Sequence, residues 1–207
     1  NAAFNKGLIS LYGYPFKFEE YKDKQQEITF AAPPIGLKLG PEAFYKVWEF
    51  ICPFEESEDS ELISDLHCKM MYLAHENTKN TSILMTSLGT LFSNQNGMNF
   101  FRKKIIDNNW LDAIIKFPPM SYSGTAIPAV LLILKKGRSE KKKVQFIDFS
   151  DCENNSTNRF GLDIPKSEIK KLFLIYKNEK ISNISNSISI NEIKKNDYNL
   201  NLSKYIL

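Results

Sequence analysis

The residue types and spacing best suited to chemistry stand in the stretch Ile28–Lys38, ITFAAPPIGLK. A short apolar run ends there in a small residue, two prolines, an apolar residue and a glycine. The prolines stop a strand because they fix φ and withhold a ladder donor. Gly36 then permits a tight turn. What is left at the strand end is a main-chain carbonyl, that of Pro33, able to accept a hydrogen bond from a ligand. Ala32 beside it has no side-chain acceptor, and Ile35 has no π-face on which a ring could stack. X-Pro-Pro is also ordinary turn chemistry. A ligand-holding loop and a plain strand-ending turn are both open at this point.

The other reactive residue types form weaker constellations. His67, Cys68 and His75 fall on one predicted helix, but zinc sites on helices favour His at i, i+4 and further ligands. The interval from His67 to His75 is eight residues, with no third ligand in evidence. Asp148, Asp151 and Glu153 follow a predicted strand without the accompanying groups of a metal-dependent nuclease, which reads as a solvated polar loop. Ser87, Ser121 and Ser123 lack the strand–turn–helix elbow of a nucleophilic serine. Lys135, Lys136, Arg138, Lys141, Lys142 and Lys143 bracket a turn. As a patch they would bind phosphates without sequence preference; as a solvated basic turn they would also discourage edge-to-edge pairing. Both readings stand.

These residues need elements to hold them. Residues 28–32 read as a buried strand, and 41–51 as a helix with Phe44, Val47, Trp48 and Ile51 on one face. Residues 56–61 are an acidic loop or helix start. Leu62, Ile63, Leu66, Met70 and Leu73 give 61–77 a helical period. A strand over 82–87 leads through a loop, 87–97, to a helix over 98–109. That helix is expected to turn Met98, Phe101 and Ile105 inward and to leave Arg102, Lys103 and Lys104 mostly solvated. Strands follow over 111–117, 129–135 and 143–150, the second uninterruptedly apolar and so expected to be central. The loop 118–128 carries strong turn chemistry, and 150–161 reads as a mobile polar loop. Residues 164–180 form an amphipathic helix with Ile169, Leu172, Phe173 and Tyr176 inward, and 181–191 an irregular strand or linker. Strands alternating with helices imply an α/β sheet, and the consecutive strands near its end imply an antiparallel edge.

The chain has 207 residues, 43% hydrophobic and 25% charged, an ordinary globular composition. No apolar run approaches the ~20 residues of a membrane span, so no membrane partner is expected. The formal charge of +3 permits nucleic-acid contact without demanding it. Arginine, the better bidentate reader of guanine, occurs only at positions 102, 138 and 159, which disfavours direct base readout. Three scattered cysteines without a CxxC pair fit a reducing cytoplasm. Asn1-Ala2-Ala3 looks like the scar of a cleaved tag, so the chain is expected to be an excised piece of a longer protein, without a signal peptide.

Three stretches in order carry a family resemblance: FAAPPIGLK; FFRKKIIDNNWLDAIIKFPPMSYSGTAIPAVLLILKK with KVQFIDFS after it; and ISINEIKKNDYNLNLSKYI. Together they resemble the modification subunit of type I restriction-modification systems, an adenine-N6 DNA methyltransferase. Members carry a strand ending in Asn-Pro-Pro-Phe-Gly, a later Gly-Thr-x-Ile-Pro loop before an apolar strand, and a closing stretch like Asn-Asp-Tyr-Asn-Leu-Asn. Here these are Ala32-Pro33-Pro34-Ile35-Gly36, Gly124 to Pro128, and Asn196 to Asn201.

The resemblance implies a Rossmann-like methyltransferase sheet, mostly parallel, with an antiparallel strand near one edge. It also implies use of S-adenosylmethionine and, as partners, DNA with specificity and restriction subunits. In the family the Asn side chain and the first proline carbonyl accept the adenine amine, and the aromatic residue stacks on the flipped-out base. Ala32 and Ile35 depart from both requirements, leaving Ala32, Pro33, Pro34 and Ile35 as a degenerate base pocket. No strand–Gly-x-Gly–helix unit precedes it, so tight cofactor binding and catalysis by this chain alone are not expected. Residues 4–160 are read as a methyltransferase-like domain lacking its cofactor half, and 161–207 as a C-terminal extension of the same domain. The alternative from a different class is a non-enzymatic module for DNA contact or subunit assembly.

Overall fold

The structure is a computed structural model that describes residues 26–33, 57–95, 97–119, 127–139, 143–151, 156–158, 161–177 and 182–206. The predicted helix 41–51 lies outside the described residues, as do Pro34, Ile35, Lys141, Lys142, Ser121, Ser123, Glu153 and most of the loop 118–128.

A six-stranded sheet organises the described chain. Its strands are β1 (Gln26–Ala31), β2 (Thr78–Ser87), β3 (Leu111–Lys116), β4 (Ala129–Lys135), β5 (Val144–Asp148) and β8 (Ser185–Ile188), in the spatial order β1-β2-β4-β3-β5-β8. β1 pairs parallel with β2, and β3 with β5. β4 runs antiparallel to both of its neighbours, and β8 antiparallel to β5. Four strands therefore point one way, with one reversed strand at the edge and another inside. The central strand expected from AVLLILK is β4, which has neighbours on both sides. A separate hairpin pairs β6 (Ser156–Asn158) with β7 (Gly161–Asp163), in the segment expected to be a plain polar loop.

The helices are α1 (Glu58–Glu61), α2 (Leu66–Glu76), α3 (Met98–Asp107), α4 (Lys166–Lys177) and α5 (Ile190–Lys195). One continuous helix over 61–77 does not form. Asp65 takes extended backbone angles and its carboxylate accepts from the Cys68 amide at 2.8 Å. It therefore caps α2 at Leu66, because a short acceptor satisfies an orphan N–H of the first turn. α1 is a single turn closed by a capping box between Ser57 and Ser60. Leu62, between the two, is exposed.

Two apolar layers sandwich the sheet. On one face Met71 and Tyr72 of α2 and Phe101 and Ile105 of α3 pack on Leu84, Leu132 and Phe146, together with Ile193, Leu200 and Tyr205 from the C-terminal residues. On the other face Leu172 of α4, with Ile175 and Tyr176 beside it, packs on Ile115, Ile133 and Ile147. Each such buried side chain contributes roughly 1.5–3 kcal/mol. The inward stripe of α4 keeps Leu172 and Tyr176 as expected, whereas Ile169 and Phe173 face outward and Glu168 is buried in their stead. No helix among the described residues is long and apolar enough to cross a membrane.

Candidate functional site

β1 and β2 are parallel, so Ala32 and Pro33 leave the sheet at the same end as Thr86 and Ser87. α2 is the crossover between these strands, and its first turn must lie at that end too. His67, the second residue of α2, consequently meets both strand ends. Its Nδ1 lies 3.0 Å from the Pro33 carbonyl oxygen and its Nε2 lies 2.8 Å from Thr86 Oγ1. A carbonyl can only accept, so Nδ1–H donates to Pro33. In the neutral ring Nε2 then accepts from the Thr86 hydroxyl. Thr86 in turn contacts Thr90 Oγ1 at 2.7 Å, in a 3₁₀ turn (Leu88–Leu91) that begins directly after β2. With its proton committed to His67, Thr86 accepts from Thr90. Hydroxyls, ring and carbonyl thus form one directed chain, and His67, Thr86 and Thr90 are all buried. Ala32, next to this carbonyl, is exposed and carries no polar group.

Arg102 extends the arrangement and corrects the expectation that it is solvated: it is 1% exposed. Its Nη1 donates to the Thr90 carbonyl at 3.0 Å and also to the Ser93 carbonyl, and its Nη2 to Asn94 Oδ1 at 2.8 Å. Its Nε donates to the Tyr198 carbonyl at 3.0 Å. Burial pushes the guanidinium below its ordinary pKa, while the Cys68 thiol and Asp197 act in the opposite sense. The Tyr198 carbonyl faces Arg102 because Asp197 and Tyr198 both take left-handed angles, φ 54° and 53°. For a bulky residue such as Tyr this backbone region is unfavourable. The turn is held by the Leu200 amide donating to the Leu91 carbonyl at 2.8 Å and by the Asn199 side chain accepting from the Asn201 amide. The Asn-Asp-Tyr-Asn stretch therefore clasps the loop after β2. A sequence signal for Arg102 existed: it stands four residues after Met98 and three before Ile105, within the apolar stripe of α3. His67 gave no comparable signal, since its partners come from two other elements.

The remaining candidates go elsewhere. Lys135 Nζ and Arg138 Nε reach the two oxygens of Asp112 at 2.7 and 3.0 Å, and Tyr176 donates to the same carboxylate at 2.6 Å. Burial alone would raise the Asp112 pKa, but these hydrogen bonds and both cations outweigh it and hold the carboxyl below its ordinary value. Arg138 also donates to the Asn109 side chain and the Lys143 carbonyl, and Lys136 Nζ to the Glu76 carbonyl. Lys143 is exposed. Asp148 pairs with Lys116 at 2.9 Å across β3 and β5 and accepts from the Ser150 amide. His75 is fully buried, bonded through Nδ1 to Ser82 at 2.9 Å and edge-on to Trp110. His67 and His75 thus each serve a hydroxyl of β2, and no group of three or more metal-ligating side chains occurs among the described residues.

A family model described as N-6 DNA Methylase matches residues 15–207. The chain is 32% identical over 145 residues to the type I restriction enzyme MjaVII methylase subunit of Methanocaldococcus jannaschii, covering 66% of this chain and 24% of that protein. It is 31% identical over 107 residues to the MpnII methylase subunit of Mycoplasma pneumoniae, covering 51% of this chain and 19% of that protein. The chain therefore spans about a quarter or less of the curated relatives it matches. Among solved structures, its fold is similar to that of the type I restriction-modification methyltransferase subunit from Streptococcus thermophilus, with TM-score 0.71 and 21% identity over 90% of this chain and 40% of that one. A modification subunit of a putative type I restriction enzyme from Vibrio vulnificus gives TM-score 0.63 at 16% identity, over 86% of this chain and 37% of that one.

Proposed function

The chain belongs to the N-6 DNA methylase family, and from that premise we propose that it is the base-loop half of a type I restriction-modification adenine-N6 DNA methyltransferase subunit, inactive on its own. The observation that carries this reading is the Pro33 carbonyl, fixed at the carboxyl end of β1 beside the end of β2 by a dedicated histidine. Ligands of open α/β sheets bind outside the carboxyl ends of strands, and an adenine amine needs an acceptor of this kind. In such a reaction S-adenosylmethionine supplies the methyl group. The sequence offers no strand–Gly-x-Gly–helix unit that would cradle it. Gly97 and Gly137 are the described glycines with positive φ. The space a Cβ would need at Gly97 is filled by Leu62 and Ile63, so that glycine serves packing. Gly137 sits in the turn after β4.

The lost side chains set the expected deficit. An amine acceptor and a stacking ring are each worth roughly 1–3 kcal/mol or more in a closed pocket, a rate factor on the order of 10² or greater. Residues 4–160 would carry the methyltransferase-like domain and 161–207 its C-terminal extension. DNA and the specificity and restriction subunits would be its partners, in the cytoplasm. Phosphate contact by the basic turn would fall chiefly to Lys143 and to Lys141 and Lys142, because Lys135, Lys136 and Arg138 serve internal acceptors.

A non-enzymatic module for DNA contact or assembly is the second reading, favoured by the exposed, acceptor-free Ala32. Titration calorimetry of this chain with S-adenosylmethionine should show no micromolar binding, and methyl transfer by the chain should be absent. Either signal would overturn the proposed inactivity. In the full-length protein, methylation arising only with Ala32→Asn and Ile35→Phe would support a decayed site. Its absence in a protein that binds cofactor and DNA would favour the module.

A further inference from the structure

We propose that His67 is a positioning residue for the base loop, and that the chain Thr86–Thr90–Arg102 ties this role to the C-terminal Asn-Asp-Tyr turn. The inference rests on the base-loop reading above. β1 has β2 as its one neighbour among the described residues, so sheet pairing holds Pro33 from one side. The Nδ1–H of His67 supplies the second restraint. It takes one lone pair of the carbonyl and thereby fixes where the other points, the one left for an incoming amine to use.

The restraint requires one tautomer. Thr86 secures it by donating to Nε2, and with that proton committed its oxygen can meet Thr90 only as an acceptor, so a donating Thr90 favours this arrangement. Thr90 is held through its own carbonyl by Arg102, and Arg102 by the Tyr198 carbonyl. Every side chain in the series is nearly inaccessible, and the bonds from Pro33 through to the Thr90 carbonyl are buried, so water does not compete for them; the Arg102–Tyr198 bond is partly buried. The reach is 34 residues from His67 to Pro33 and 96 from Arg102 to Tyr198. A loop acceptor held by a supporting shell keeps its place within fractions of an ångström, and a misplacement of ~1 Å costs on the order of 10²-fold in rate.

The test has two parts. Ring-nitrogen NMR of this chain should find His67 protonated at Nδ1 with Nε2 bare, and Thr86→Val should shift the ring towards mixed tautomers. An Nε2–H tautomer in the unsubstituted chain would overturn the proposal. The second part uses the full-length protein and two single-stranded oligonucleotides. One carries a single deoxyadenosine among thymidines; the other replaces it with deoxynebularine, which lacks the amine. The amine-bearing strand should bind about three- to tenfold tighter, the range of one hydrogen bond. His67→Phe, which fills the space without the N–H, should bring that ratio to about one while binding of the deoxynebularine strand is unchanged. His67→Asn, which retains an N–H, should keep most of it. A ratio insensitive to His67→Phe, or to Thr86→Val should the Phe variant not fold, would overturn the role of His67 and leave the base-loop reading intact. A ratio of one in the unsubstituted protein would overturn the base-loop reading and this proposal with it.

Discussion

Replacing Arg102 with Met removes the donor for four acceptors: the carbonyls of Thr90, Ser93 and Tyr198 and the Asn94 side chain. The Thr90 bond is fully buried and the other three partly so. An orphaned buried carbonyl costs about 1–3 kcal/mol, and acceptors that water can reach cost a fraction of that. Relief from burying a cation offsets part of the loss. The net expectation is a destabilisation of about 3 kcal/mol, a large share of the roughly 5–15 kcal/mol that holds a domain together. With a urea dependence of about 1–3 kcal/mol per molar, the unfolding midpoint should fall by about 1–3 M. Equilibrium urea denaturation followed by circular dichroism at unchanged slope is the assay. Arg102→Lys, which can satisfy only part of the set, should fall between. A surface arginine would cost no more than about 0.5 kcal/mol, so a midpoint within about 0.3 M of the unsubstituted chain would refute the clasp.

Gly97 and Gly137 form a matched pair, with φ 77° and 68°. A Cβ at Gly97 would stand 2.6 Å from the Leu62 carbonyl oxygen, whereas nothing lies within 4 Å at Gly137. Gly97→Ala should therefore cost more than about 2 kcal/mol, and Gly137→Ala only the ~1–2 kcal/mol of the left-handed backbone, as read by thermal unfolding. Burial, aided by the charge of Lys136, lowers the His75 pKa to about 3. The unfolded chain takes up this proton near pH ~6.5, so the contribution of His75 is complete above that pH and is lost as the pH falls towards about 3. Stability should decline by up to about 1.4 kcal/mol per pH unit across that window, and His75→Phe should flatten the decline in urea titrations at stepped pH.

Much of the sheet was legible in the sequence because short apolar runs are local. The runs at 28–32, 82–87, 111–117 and 129–135 became β1 to β4 with ends shifted by a few residues, but β1, expected to be buried, exposes Ile28 and Phe30 because it has a described neighbour on one side only. Errors arose where two local patterns competed. The apolar period from Leu62 masked the cap at Asp65, and a single short carboxylate decided where α2 starts. In 164–180 two apolar stripes lie side by side. The sheet took Leu172, Ile175 and Tyr176, and Gln145 of β5 donates to the Ile175 carbonyl, which left Ile169 and Phe173 outside.

The sequence by itself determined the α/β class, the family resemblance, and the two absences at Ala32 and Ile35, since each is a matter of residue type or local period. Only the tertiary structure decided what the neighbouring groups do. Pro33 acquires His67 because a parallel β1–α2–β2 crossover brings a helix start to two strand ends. Arg102 is buried because a left-handed turn nearly a hundred residues later offers it a carbonyl. Such partners are far apart along the chain, and a buried polar group takes whichever donor or acceptor folding delivers, because leaving it unpaired costs more than any local preference.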